Sequence, residues 1–143
     1  MPLHLLKLCV GVDSIDDLAD WIGQELARAR AAGRAAEHFH VTRMVPARRA
    51  ELLDGGSLYW VIRGAIQVRQ RLLDIRPFVD DGGIGRCRLV LEPKLVPTDW
   101  QPRRPFQGWR YLAAADAPAD LARRQTDGLP PKLRAELAAL GLI

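Results

Sequence analysis

SLYWVIRGAIQVRQRLLDIRPF, residues 57–78, is rich in β-branched and aromatic side chains and is broken once, by Gly64. Such side chains favour a pleated, half-buried surface, so the stretch predicts two strands in succession. In the first, Leu58, Trp60 and Ile62 share one face and Tyr59, Val61 and Arg63 share the other. Gly64 supplies either a turn or a bulge. In the second, Ile66, Val68 and Leu72 share a face, with Gln67, Arg69 and Arg71 opposite. The apolar phase changes between Leu72 and Leu73, which predicts a bulge or bend there. Consecutive strands joined this tightly pair antiparallel.

Working outward, DDGG at 80–83 is a turn signal, and IGRCRLVLEP after it reads as a further strand. That strand buries Cys87, Leu89 and Leu91 and points Arg86 and Arg88 outward. Upstream, HFHVTRMV places Phe39 and Val41 on one face and His40 and Thr42 on the other. Pro46 then suits the first turn of a short helix, ARRAELLDGG, stopped by Gly55 and Gly56. Leu3 to Val10 is a short apolar strand. VDSIDDLADWIGQELARARAAGR is the clearest helix: Ser14 caps it, and Ile15, Leu18, Ile22, Leu26 and Ala29 form one apolar stripe. Downstream, VPTDWQPRRPFQGWRYL is rich in proline and reads as a loop packed by its own aromatics, extended only from about Trp109. Two short amphipathic helices are expected at about 118–125 and 130–140.

The expected class is therefore α+β: a curved, mainly antiparallel sheet of five to six strands, or a small partly open barrel. A helix precedes it and helices follow it. A chain of 143 residues fits a single domain, 1–143. No apolar run approaches the roughly 20 residues that cross a bilayer, so no membrane association is expected. The opening MPLHLLKLCV lacks the basic flank and small-residue cleavage site of a signal peptide, and Cys9 and Cys87 are isolated in apolar strands. Both suit a reducing, cytoplasmic setting.

Charge is unevenly spread. The formal net charge is +4, but residues 43–110 hold 13 basic against 7 acidic groups, while residues 1–42 are net acidic. Of the 21 basic residues 18 are arginine, whose planar fork suits phosphate and carboxylate. Arg43, Arg48 and Arg49 follow the HFHVT strand, Arg63, Arg69 and Arg71 lie on the central hairpin, and Tyr59 shares a face with Arg63. Arg103, Arg104 and Arg110 stand beside Phe106, Trp109 and Tyr111. Guanidinium groups neutralise phosphates and aromatic faces stack on bases, so this is the composition of a single-stranded nucleic-acid surface. On that reading Arg43, Arg48, Arg49, Arg63, Arg69 and Arg71 contact phosphate. His40 and Thr42 supply hydrogen bonds, and Tyr59 or Trp109 stacks. The expected partner is RNA or another anionic ligand.

Two other readings stay open. HVT at 40–42 has the form of a histidine motif that supplies acid or base to phosphoesterases, which would make the chain a small hydrolase centred on His40. That chemistry needs a second copy, and among the three histidines none stands in one. Alternatively the Trp- and Arg-rich loop 100–111 is a protein-interaction patch. His38 and His40 share a strand face but lack a third ligand nearby, so no metal is expected, and no cofactor motif is present.

The stretch HVTRMVPARRAELLDGGSLYWVIRGAIQVRQRLLDI, continued by GIGRCRLVLEPKLVPTDWQPRRPFQGWRYL, resembles a bacterial family of small proteins of unknown function. LYWVIRG, RQRLLDI and RPFQGWRYL occur in that order, and the likeness runs over most of the chain from MPLHLLKLCVG onward. No activity comes with that family, so the resemblance implies no residue roles. In pattern alone, a strand, a short helix, a strand, then G-x-I-x-x-R-x-x-L-x-D-I from Gly64 to Ile75 is similar to PUA-like barrels of the ASCH and EVE kind. That likeness implies a curved barrel that binds RNA or modified bases. The ASCH signature G-x-K-x-x-E-x-R is not found around Gly56 to Arg63, and no catalytic residue is carried over.

Overall fold

The computed structural model describes residues 2–121. In chain order the elements are β1 (Leu3–Leu8), α1 (Ile15–Ala31), β2 (His38–Thr42), α2 (Arg49–Leu53) and β3 (Ser57–Ile62). There follow β4 (Ala65–Val79), β5 (Gly85–Leu91), β6 (Val96–Pro102), β7 (Trp109–Ala113) and a 3₁₀ turn at Ala114–Asp116. The expected helix at 130–140 and residues 122–125 of that at 118–125 lie outside the described residues. Asp120 itself forms a bridge to Thr98.

The strands build one mixed sheet in the order β2-β5-β4-β3-β1-β7, with β6 also paired to β4. The described strands number seven rather than five or six, because the proline-rich stretch contributes β6. Its prolines fall in the outlying ladder with β4, Ala65 opposite Pro102 and Val68 opposite Pro97, where a missing N–H is tolerated. The β1–β3 ladder is parallel and the others antiparallel.

β3 and β4 form the hairpin that the central stretch predicts. Its turn uses two left-handed residues, Arg63 at φ 51° and Gly64 at φ 80°, the twist that suits a two-residue hairpin. A bulge between Trp60 and Val61 makes Gln67 an extra residue, and its amide donates to the Ile62 carbonyl at 2.8 Å. For this reason Ile66 and Val68, which bare alternation puts together, face opposite sides. A second register shift falls between Leu72 and Asp74, where the apolar phase changes.

Both sides of the sheet carry a core. The larger one joins Leu5, Leu58, Trp60, Ile62, Val68, Leu72, Ile75, Leu89 and Leu91 to Leu18 and Ile22 of α1 and Leu52 of α2. The smaller joins Leu6, Tyr59, Val61, Ile66 and Leu112, packed by Phe106 and Ala117. α1 begins as its cap predicts, the Asp17 amide donating to Ser14 Oγ at 3.1 Å.

β2 and β7 are the outer members of the sheet, and side chains of β7 reach the segment that follows β2. The Trp109 indole N–H donates to the Met44 carbonyl at 2.8 Å, and the Ala47 and Arg48 amides donate to Tyr111 Oη at 3.0 and 3.2 Å.

Within the larger core one polar link stands out. The Trp60 indole N–H donates to Gln70 Oε1 at 2.8 Å, and Gln70 Nε2 donates to the Glu92 carbonyl at 3.0 Å. Gln70→Leu strands a buried indole donor and a carbonyl at once, so a loss of about 1–3 kcal/mol is expected. Urea unfolding checks it: the midpoint should fall while the slope stays unchanged.

Candidate nucleic-acid interface

α1 and α2 cover one side of the sheet, so the other side of β4, β5 and β2 is turned outward. Side chains alternate along a strand, and the register shift at Leu72 to Asp74 keeps Arg71 and Arg76 on the same outward side. Arg76 lies opposite Arg88 of β5, and Phe78 opposite Arg86. Arg88 lies opposite Val41 of β2, and Phe39 opposite Val90.

Most of these guanidinium groups are tied to carboxylates. Arg76 pairs with Asp74 at 2.8 Å and with Glu37 at 2.7 Å. Arg49 reaches the same Asp74 at 2.8 Å, and Arg86 pairs with Asp80. The hydrogen bonds from Arg76, then those from Arg49 and the Ile75 amide, hold the Asp74 carboxyl down at about 2. Arg88 is different. It is exposed, has no carboxylate partner among the described residues, and lies over two rings, Phe39 at 5.0 Å and Phe78 at 4.8 Å. Cation–π contact and the flanking rings fix its fork in place, so less freedom is lost when it binds an anion.

The residues singled out from sequence are scattered around this face. Arg71 is outward and exposed, and Arg43 is exposed just past the end of β2; neither has a carboxylate partner among the described residues. Arg48 is paired with Glu51 and lies over the Tyr111 ring at 5.7 Å. Arg63 is at the hairpin tip, 3.6 Å from Asp13. Arg69 is outward on β4 but is gripped by Asp120 at 2.8 and 2.7 Å.

Four of the expected contacts sit elsewhere. His40 and Thr42 turn inward, not outward: the His40 ring meets Trp60 edge-on at 5.2 Å, and the Thr42 hydroxyl donates to the Met44 carbonyl at 3.1 Å. The two aromatic rings expected to stack are covered, Tyr59 being 4% and Trp109 7% exposed. The rings that do border the arginines are Phe39 and Phe78. Arg76 and Phe78 could have been found by carrying the alternation past the bulge, and Phe39 by reading β2 in the opposite phase.

Inside the sheet burial is the first cause of each shift. Burial, then the charge of Lys7, then His38, pushes His40 down to about 4. Burial lowers Lys7 and raises the Cys9 thiol to about 11. Among the described residues no three His, Cys, Asp or Glu side chains stand together as metal ligands. No helix among them is long and apolar enough to cross a membrane.

A family model described as "Protein of unknown function (DUF1489)" matches residues 5–143. The chain belongs to the DUF1489 family. The DUF1489 match takes in Phe39, Arg71, Arg76, Phe78 and Arg88, so the outward face falls wholly inside it. No curated protein and no solved structure matches the chain.

Proposed function

We propose that this protein is a single-stranded RNA-binding module whose contact surface is the outward side of β4, β5 and β2. The observation that carries the reading is Arg88, an exposed guanidinium against Phe39 and Phe78 with no carboxylate partner among the described residues. Arg71 and Arg43 extend the positive surface, and Arg76 and Arg86 adjoin it with their charges shared among Asp74, Glu37 and Asp80. Single-strand binders pair such a basic track with ring faces because every base has a π-face and every nucleotide a phosphate. The PUA-like class goes with this reading, and in its support the side chains of Trp109 and Tyr111 tie β7 to the segment after β2.

The test is fluorescence anisotropy with labelled single-stranded RNA, duplex RNA and single-stranded DNA over a range of salt. Expected is a preference for the single-stranded forms, with affinity falling as salt rises by a log–log slope of about −0.7 for each phosphate contacted. Arg88→Ala and Phe78→Ala should each weaken binding roughly tenfold, the scale of one stacked base. Retention of full affinity by both variants, or no binding at low salt, would overturn the reading.

A further inference from the structure

At the far end of the same strand, under residues 114–120, lies a pocket of about 310 Å³. Its polar lining comes from His4 of β1, Ser57 and Tyr59 of β3, Arg69 of β4, and Asp120. Parallel pairing of β1 with β3 brings His4 beside Ser57, and the Ser57 amide donates to His4 Nδ1 at 2.9 Å. That bond fixes the tautomer. With Nδ1 accepting, and with burial and then Arg69 lowering the pKa of the ring, His4 is neutral and carries its proton on Nε2.

His4 and Tyr59 both line the pocket, and among the described residues no hydrogen bond engages His4 Nε2 or Tyr59 Oη. Both are therefore donors free to meet an acceptor in the pocket. A third donor joins them. Arg69 Nη1 donates to Ser57 Oγ at 3.0 Å, which occupies the oxygen as acceptor and leaves the hydroxyl proton free to donate. Asp120 takes Arg69 Nε and Nη2, so the formal charges of this pair cancel. Ala114, Ala117 and Pro118 supply an apolar wall.

We propose that this pocket binds a small, singly charged oxyanion, a carboxylate or phosphodiester group held by His4 Nε2, Tyr59 Oη and the Ser57 hydroxyl. A dianion is disfavoured because Asp120 already balances Arg69. Benzoate presents the carboxylate on an apolar body, and dimethyl phosphate presents the group found in a nucleic-acid backbone. Neither the pocket nor its donors include Arg88, Phe39 or Phe78, so the site does not depend on the RNA-binding reading.

The experiment is titration with benzoate and with dimethyl phosphate, followed by backbone amide shifts, the Ser57 amide among them. At least one probe should bind at millimolar concentration or tighter. Tyr59→Phe removes only the hydroxyl. His4→Asn keeps an acceptor in the position of Nδ1 and removes the Nε2 donor. Each should weaken the bound probe about tenfold, the scale of one hydrogen bond to a charged group, with thermal unfolding close to that of the parent. Preference for benzoate would name a free organic acid as the ligand class, and preference for dimethyl phosphate a nucleic-acid backbone. In Arg88→Ala the shift of the Ser57 amide with either probe should match the parent's, which separates this site from the outward face. The proposal fails if neither probe binds, or if both variants retain full affinity.

Discussion

Gly56→Ala is expected to cost about 3 kcal/mol or more, the upper range for forcing a methyl group into filled space. A Cβ on Gly56 would stand 2.2 Å from the Leu3 carbonyl oxygen and 2.3 Å from that of Leu52. Both atoms are backbone, so no side chain can swing aside. The position is a junction: the Gly56 amide donates to Leu52 at the end of α2, and its carbonyl accepts from the Leu72 amide of β4. To make room, α2 would have to move away from β1, and Leu52, wholly buried in the larger core, would move with it. Gly55→Ala provides the contrast. Nothing lies within 4 Å of a Cβ there, but φ is +87°, so only backbone strain of about 1–2 kcal/mol is expected. Urea unfolding of the two variants should show Gly56→Ala as clearly the worse. The reverse order would mean that backbone conformation, not close approach, governs this junction.

The same junction shows what could be read from residues and what could not. GG at 55–56 marks the end of a helix through composition alone, and the stripe of α1 and the hairpin at 57–78 are periodic signals within a few residues of each other. Those local features are where sequence reading succeeds. The parallel pairing of β1 with β3 has no such signal, because more than forty residues separate them and nothing in either strand encodes its neighbour. It is this pairing that brings His4 to Ser57, so the pocket is invisible in the sequence although Tyr59 and Arg69 stand out in it.

β2 is the sharper lesson. In HFHVT hydrophobicity argues for Phe39 and Val41 inside, yet His38, His40 and Thr42 face the core and Val41 is 39% exposed. What decides the phase is tertiary: rings of Trp21 and Trp60 meet His38 and His40 edge-on at 5.8 and 5.2 Å. Outside, Phe39 gains the guanidinium of Arg88. A five-residue strand carries too little alternation to outweigh such contacts. The arginines were legible as a local excess of charge, but not their partners. Asp120 is 51 residues from Arg69 and Glu37 is 39 from Arg76, distances over which sequence gives no pairing rule.

That inward phase of β2 has a consequence for stability. His40 is held at about 4 in the folded chain, first by burial and then by the charges of Lys7 and His38, against an ordinary value near 6.5. A histidine whose folded pKa is depressed binds its proton more tightly once unfolded. Its contribution is therefore level above about pH 6.5, is lost progressively as pH falls from there to about 4, and is level again below. The difference amounts to about 3 kcal/mol, a large share of what holds a domain of this size together. His4 and His38, also lowered by burial, act in the same direction. Asp74, held at about 2, begins to lose its ion pairs only at lower pH, so its effect falls outside this window. His40→Phe keeps an aromatic edge against Trp60 but cannot take up a proton. Unfolding free energy measured from pH 7 to pH 4 should drop steeply in the parent and by about 3 kcal/mol less in His40→Phe. Equal slopes in the two proteins would mean that His40 is protonated without leaving its place against Trp60, and that the acid sensitivity comes from His4 and His38 instead.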